Sequence, residues 1–506
     1  MSTQGLHGPD AEAVISEALA ALQAGRRAEC LRRLRDLGPL LADHPVALQI
    51  QAVAQDPGAS ADAHALLERA VRIGPGDAQA FFNLGCTLQG QDDLARAVRL
   101  YEQALRLDPA HAGALNNLSD LYRRRGRAEE GWALMARYQS LGLPVAGLEI
   151  RLAKLAMDTR RFDEAHRWFE AAEARAPQDP SVRFEHSMLT LARADFARGF
   201  PQYENRLLVH GLANLGIYPY PMPAWKGEDM AGKSLLLHRE QGLGDMIMFA
   251  QAVPELLDAG IHVHLALHPP LARLMKQSFP SASVWSSRTL AGVREQPAQP
   301  WLQVAGQINR QAPICSLGML CRTGGFPAPR AYLRADPSDS SAWKARLEAL
   351  SPKAKRRVGL CIGSRQTGWN DDGRTMAFRK SIPPAEARGL GAAEGITWVG
   401  LHDRETASFL SDLPDTNVID TSHWIADLAD TAAIIENLDL VVTIDSVVAH
   451  LAGALGKETW LLLWWNPDWR WGVDRQDSYL YPHMRLFRQA MPGDWASVIA
   501  RVIASL

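Results

Sequence analysis

The stretch AQAFFNLGCTLQGQDDLARAVRLYEQALRLDPAH, residues 78–111, contains two successive helical patterns. In each half, apolar and small residues recur three or four positions apart, which places them on one face of a helix. These residues are Phe81, Leu84, Gly85 and Leu88 in the first half and Ala97, Tyr101 and Ala104 in the second. Asp108 and Pro109 end the unit, because proline does not continue a helix. The stretch therefore predicts a pair of closely packed helices.

The same pattern returns at a period of 34 residues over the first 205 positions. Equivalent residues precede the unit at 50–75, follow it at 115–131, 152–177 and 196–203, and return with a one-residue shift at 10–43. This period and pattern resemble the tetratricopeptide repeat. Since one such unit cannot bury its own apolar face, we expect about six units stacked as a solenoid over residues 1–205. Two roles of the solenoid remain open: a spacer or dimerisation module, and a groove that binds a protein segment. We favour the groove.

Composition limits the class of protein. The net charge of −2 argues against a dedicated nucleic-acid binder, which normally carries a basic excess. Five cysteines without a C-x-x-C pair argue against a zinc site or a disulfide framework and indicate a reducing cytoplasm. The start, MSTQGLHGPDAEAV, lacks the features of a secretory signal, and the longest apolar runs are too short to span a bilayer. We therefore expect a cytoplasmic protein.

After Tyr220 the sequence changes to short apolar runs that alternate with helical stretches, which is typical of parallel sheets. The first series contains SLLLH (234–238), a helix from about 245 to 259, and HVHLALH (262–268). The second contains RRVGLCIGS, ITWVGLH, NVIDTS, LDLVVTIDS and KETWLLLWW. We predict a linker at 206–230 and two Rossmann-like domains at 231–340 and 341–506. Ligands of such sheets bind at the carboxyl ends of the strands.

The loop EQGLGD, residues 240–245, follows the first predicted strand. Gly242 and Gly244 lack a Cβ, which permits positive φ and a close approach of the backbone to a ligand. Ile247 stands where a G-x-G-x-x-G motif needs its third glycine, so a dinucleotide site is not expected. Asp245 is either a helix cap or a functional carboxylate. The two adjacent glycines favour a functional loop, because a cap alone does not explain them.

The stretch LVVTIDSVVAHLAGALG, residues 440–456, predicts a strand, a turn at Asp445 and Ser446, and a helix of small residues. Ser446 is expected to cap this helix and leave its positive end for an anion. His450 lies one turn later on the same face and can donate a hydrogen bond to a phosphate oxygen. The alternative is a capped packing helix with a satisfied histidine.

A third candidate segment, GSRQTGWNDDGRTMAFRKSIP, spans residues 363–383. Ser364 ends a predicted strand, and Arg379 and Lys380 precede a predicted helix, where they can clamp a diphosphate. A solvated basic loop is the alternative. Asp371 and Asp372 are interpreted as a solvated turn, not as a metal-binding D-x-D motif. The nearby WWNPDWRW, residues 464–471, predicts either base stacking or interdomain packing.

The second half resembles bacterial GT-B glycosyltransferases related to ADP-heptose:lipopolysaccharide heptosyltransferases, in the form fused behind tetratricopeptide repeats. The resemblance covers essentially the whole chain. Its motifs are YENR, PAWKGE, EQGLGDMIMF, PAPRAYLRAD, TIDSVVAHLAGALGK, PDWRWGVDR and YPHMRLFRQ. The fusion is also similar to eukaryotic O-GlcNAc transferase and to bacterial transferases that glycosylate flagellin. The resemblance implies a solenoid followed by a GT-B fold of two Rossmann-like domains.

The resemblance further implies an inverting transfer from a nucleotide-sugar, without a metal ion or a resident cofactor, to Ser or Thr hydroxyls of a protein such as flagellin. Asp245 matches the family's general base, and Gln241, Gly242 and Gly244 belong to its acceptor loop. The nucleotide-sugar is assigned to Ser364, Arg379, Lys380, Asp445, Ser446 and His450. Val447 replaces a family glycine, and Lys380 is an insertion. An inactive protein-binding scaffold, a transferase acting on a glycan, and a sugar-nucleotide epimerase are the alternatives.

Overall fold

The computed structural model describes residues 8–38, 44–55, 60–140, 142, 147–209, 211, 220–286, 306–364, 379–411, 413 and 418–506. The chain divides into two compact units, Met1–Thr159 and Arg160–Leu506. No helix in the described ranges combines the length and the apolar character needed to cross a membrane. The predicted turn at Asp371 and Asp372 lies outside the described residues, as does most of the stretch between Ser364 and Arg379.

The described part of the first unit is helical throughout and confirms the repeat pattern. Its helices are α1 (Gly8–Gln23), α2 (Arg27–Arg35), α3 (Pro45–Ala54), α4 (Ser60–Ile73), α5 (Ala78–Gly90), α6 (Leu94–Leu107), α7 (Ala112–Arg124), α8 (Ala128–Ser140) and α9 (Leu148–Asp158). The predicted stripes of α5 and α6 face each other. A Cβ on Gly85 would lie 2.7 Å from the Tyr101 ring, so only glycine fits where the two helices cross. Asp77 and Asp93 cap the two helices by accepting backbone N–H groups.

The second unit opens with further helices, α10 (Phe162–Arg175), α11 (Pro180–Ala192), α12 (Phe196–Tyr203) and α13 (Arg206–Val209). Phe200 and Tyr203 of α12 belong to the same hydrophobic core as the strand residues Leu235 and Leu237. The last helices of the repeat pattern are therefore built into the unit that contains the sheets.

The first sheet is parallel, with the strand order β3-β2-β1-β4. Its elements are β1 (Ser234–His238), α14 (Leu243–Phe249), α15 (Val253–Asp258), β2 (His262–Leu267), α16 (Pro269–Ser278), β3 (Ser283–Ser286), β4 (Arg310–Pro313) and α17 (Leu317–Cys321). The single helix predicted at about 245–259 is interrupted by a 3-10 turn at Ala250–Ala252. Pro254, near the start of α15, has no N–H to continue the α-helical hydrogen bonds.

The second sheet is also parallel, with the order β10-β9-β8-β5-β6-β7. Its elements are α18 (Pro337–Leu350), β5 (Arg356–Cys361), α19 (Pro384–Ala387), β6 (Ile396–Gly400), α20 (Ser408–Ser411), β7 (Val418–Asp420), α21 (Leu428–Glu436), β8 (Leu440–Ile444), α22 (Val447–Ala454), β9 (Thr459–Leu463), β10 (Met484–Arg488) and α23 (Trp495–Ser505). Successive residues of β8 enter different cores, with Val441 in one and Leu440 and Val442 in the other. Both faces of the sheet are therefore covered, which explains the continuous apolar runs.

Candidate functional site

The loop after β1 is shaped by Gln241. Gln241 has a φ of 58°, whereas Gly242 has a φ of −85° and Gly244 is not among the positive-φ glycines. The prediction that the two glycines adopt positive φ is therefore wrong. Gln241 is held in this conformation because its Nε2 donates to the Tyr203 hydroxyl at 2.7 Å. Asp245 Oδ2 accepts the Gly242 N–H at 3.1 Å, which ties the carboxylate to the start of α14.

Gly244 is required for packing against His450. A Cβ on Gly244 would lie 2.7 Å from His450 Cδ2 and 3.3 Å from His450 Nε2. The glycine loop therefore closely approaches the side chain of His450 in α22, the helix that follows β8. As expected from the strand ends, α14 of the first sheet and α22 of the second pack together.

His450 is a buried, neutral histidine. Its Nδ1 lies 2.8 Å from the Tyr481 hydroxyl, and its ring packs against Trp471 with a centroid distance of 5.2 Å. Burial lowers the pKa of His450 to about 4, although nearby Asp445 favours the charged form. At neutral pH the ring is uncharged. Positive charge facing a bound anion must therefore come from other side chains.

Lys380 and Asp445 form an ion pair at the point where the strand order of the second sheet reverses, between β5 and β8. The Lys380 Nζ lies 2.9 Å from Asp445 Oδ2. Burial opposes the charge on Lys380, but Asp445 and Asp468 outweigh it and raise the pKa of the ammonium above its usual value. Burial would likewise raise the pKa of Asp445, but Lys380 holds it below its usual value. The structure brings the two predicted residues together, but they form an ion pair with each other.

Ser446 occupies the N-cap position of α22, as predicted, but its side chain does not cap the helix. The Ser446 hydroxyl lies 3.3 Å from Thr443 Oγ1 and 3.8 Å from Cys361 Sγ, at the carboxyl end of β5. The predicted side-chain cap is therefore wrong. The backbone N–H of Ser364 donates to Ser381 Oγ at 3.1 Å in the neighbouring loop.

Arg470 is a site residue that the sequence analysis did not single out. It lies in a 3-10 turn after β9 and pairs with Asp245 of the first sheet and with Asp468 of its own turn. Burial opposes the charge on Arg470, but Asp245 and Asp468 hold the pKa of the guanidinium well above its usual value. The signal in the sequence is the motif PDWRWGVDR, which contains this arginine and belongs to the motifs of the resemblance.

A second network that the sequence analysis did not assign lies behind the loop. Arg206 donates to both carboxylate oxygens of Glu240, at 2.6 and 2.8 Å, and both side chains are 0% exposed. Arg206 also pairs with Glu204 and donates to Ser316 Oγ at 2.9 Å. The motif YENR, residues 203–206, thus supplies the partners that hold Glu240 and Gln241 after β1. Ser316 follows β4, the neighbour of β1, so the network also joins two adjacent strands.

Tryptophans of the segment 464–471 pack against neighbouring side chains. Trp469 and Trp471 are buried, and Trp469 packs edge-on against Phe200 of α12 at a centroid distance of 5.9 Å. Arg379 stacks over the Trp464 ring at 5.3 Å. Of the two interpretations of this segment, packing is therefore the one observed for Trp469 and Trp471. Within the described ranges, no group of three or more His, Cys, Asp or Glu side chains is arranged to hold a metal ion.

Residues 78–111 and 100–133 match two family descriptions of the tetratricopeptide repeat. The first unit contains tetratricopeptide repeats. The chain is 28% identical over 513 residues to protein FlbA of Caulobacter vibrioides, with 97% of this chain and 83% of that protein covered. A shorter match, 32% identical over 174 residues, is to cellulose synthase operon protein C of Xanthomonas axonopodis pv. citri. It covers 32% of this chain and 11% of that protein.

Among solved structures, PilF of Pseudomonas aeruginosa is similar with a TM-score of 0.35 and 16% identity, covering 40% of this chain and 91% of PilF. A thermophilic tetratricopeptide protein of Thermus thermophilus has a TM-score of 0.29 and 20% identity. That match covers 36% of this chain and 99% of the thermophilic protein.

Proposed function

We propose that this protein is an inverting, metal-independent glycosyltransferase of the GT-B type that transfers a sugar from a nucleotide-sugar to a Ser or Thr hydroxyl of a protein. One observation carries the proposal. The carboxyl ends of two parallel sheets meet: Asp245, after β1, pairs with Arg470, after β9, and Gly244 packs on His450 beside the Lys380–Asp445 pair. Carboxyl ends of strands are where doubly wound sheets bind ligands, and a carboxylate beside cations suits group transfer.

The proposed reaction is a single displacement. The acceptor oxygen attacks the anomeric carbon from the side opposite the nucleotide, and its proton passes to Asp245 as general base. The bond between the anomeric carbon and the phosphate oxygen breaks, and its electron pair remains on that oxygen. Lys380 and Arg470 stabilise the resulting negative charge, a role for which their raised pKa values keep both side chains protonated.

The acceptor is proposed to be a protein because tetratricopeptide repeats commonly bind protein segments. Flagellin, named by the resemblance, is the first acceptor to test. Cytoplasmic glycosylation before export fits the low cysteine content and the use of a nucleotide-sugar.

Thermal unfolding of the purified protein with CMP, UDP, GDP, ADP and dTDP tests the donor site. A ligand at about 100 times its Kd stabilises the folded state by roughly 2.7 kcal/mol, which is a readable shift. One nucleotide should give a selective shift that is lost in Lys380→Met and retained in Lys233→Met, a matched control at an exposed lysine. Incubation with the corresponding nucleotide-sugars should then release nucleotide faster when flagellin is present.

Absence of a shift with all five nucleotides, together with absence of nucleotide release, would refute the transferase. It would favour a protein-binding scaffold. Nucleotide release with a glycan acceptor but not with flagellin would retain the transferase and refute the protein acceptor.

A further inference from the structure

The cations at the candidate site are already occupied by carboxylates. Lys380 pairs with Asp445, and Arg470 pairs with both Asp245 and Asp468. We call these five side chains the charged cluster. It contains two positive and three negative groups, so its formal charge is −1. A nucleoside diphosphate would be repelled by this arrangement unless one carboxylate leaves a cation.

The structure indicates which carboxylate can leave. Asp468 is fixed within its own turn, because its Oδ1 also accepts the Arg470 backbone N–H at 3.1 Å. Asp445 is only 6% exposed and is held by Lys380. Asp245 belongs to the other sheet, is 19% exposed, and keeps a second anchor in the Gly242 N–H when Arg470 moves away. Arg470 keeps its ion pair with Asp468 when it separates from Asp245, so neither Arg470 nor Asp245 is left buried without a partner.

We propose that Arg470 is a catalytic residue that exchanges partners during turnover, from Asp245 in the empty site to the donor phosphate in the loaded site. Before the donor binds, the guanidinium occupies Oδ1 of Asp245, so that this oxygen is not available to accept a proton. Donor binding turns Arg470 towards the leaving phosphate and frees Oδ1 for the acceptor hydroxyl. The base thus becomes available only when the donor is present, which limits the site to one order of binding.

This inference rests on the proposed function. The exchange of partners and a purely structural role of the Asp245–Arg470 pair predict opposite changes in nucleotide affinity. If Asp245 competes with phosphate for Arg470, removal of the Asp245 charge must strengthen nucleotide binding while it abolishes sugar transfer. If the Asp245–Arg470 pair only joins the two sheets, breaking it from either side must weaken binding or leave it unchanged.

The test is calorimetric titration of the full-length protein with the nucleoside diphosphate that gives the largest thermal shift. Asp245→Asn should bind it about tenfold more tightly, the equivalent of one charge-assisted hydrogen bond gained. Arg470→Met should bind it at least about tenfold more weakly, and the double variant should show no gain over Arg470→Met alone. Asp477→Asn, which removes a charge from an exposed side chain between β9 and β10, should leave the affinity unchanged.

Arg470→Lys keeps the positive charge and replaces Arg470→Met in the test if the methionine variant does not fold. It should lose less nucleotide affinity than a variant without the charge. An unchanged or weakened affinity in Asp245→Asn, with nucleotide binding intact in the wild type, would overturn the role of Arg470 and leave the transferase standing. If Asp245→Asn binds the nucleotide and the wild type does not, the exchange is supported. If neither the wild type nor Asp245→Asn binds it, the exchange and the proposed function are overturned together.

Discussion

Replacement of Arg206 by methionine removes the cation that holds Glu240, the first residue of the loop that leads to Asp245. Glu240 is 0% exposed and accepts two hydrogen bonds from Arg206. After the substitution, the described hydrogen-bond donor that remains to Glu240 is Gln241 Nε2, which lies 3.1 Å from Oε1. The carboxylate must then stay charged without a cation or take up a proton, and either outcome costs free energy of folding.

The size of this cost follows from the burial of the pair. Removal of one partner of a buried ion pair costs roughly 3–5 kcal/mol, and Arg206→Met should fall within this range. Glu240→Gln should cost less, about 1–2 kcal/mol, because Arg206 keeps Glu204 and the amide oxygen still accepts a hydrogen bond.

Urea unfolding followed by tryptophan fluorescence measures these losses. All tryptophans except Trp132 lie in the second unit, so the signal reports on that unit. Arg193→Met is the control, since Arg193 pairs with an exposed carboxylate and little change is expected. Equal losses in Arg206→Met and Glu240→Gln would refute the reasoning.

Two further predictions concern the histidines and the glycine loop. Gly244→Ala should destabilise the second unit by about 1–3 kcal/mol, because its Cβ would lie 2.7 Å from His450, whereas Gly242→Ala, with its nearest neighbour at 3.2 Å, should be milder. Equal shifts in the urea midpoint would show that the His450 ring is not held in place. Burial lowers the pKa of His238, His402 and His450 to about 4, below the ordinary 6.5, so the unfolded chain binds more protons between these values. Stability should therefore be complete above pH 6.5 and decrease as the pH falls towards 4, with a slope that His402→Gln reduces by up to about 1.36 kcal/mol per unit. A flat profile between pH 7 and 5 would contradict this.

Local periodicity predicted most of the architecture. The 34-residue period placed the helix pairs of the first unit, because each helix buries one stripe and the stripes are visible in the sequence. The apolar runs at β1, β2, β5, β6, β8 and β9 were also visible, since strands covered on both faces are continuously apolar. The β4 stretch RQAP has no such run, and β3 alternates weakly, so neither was predicted. Their pairing with β1 and β2 makes them strands.

The sequence by itself predicted which loops lie at the candidate site, because carboxyl ends of parallel strands converge whatever the side chains are. It did not determine which charged groups meet. Asp245 and Arg470 are 225 positions apart, and Arg206 and Glu240 belong to different elements, so no local pattern links either pair. Only the packing of two sheets on shared cores brings these side chains within contact. Burial there removes water from the charges, and this desolvation makes their mutual pairing decisive.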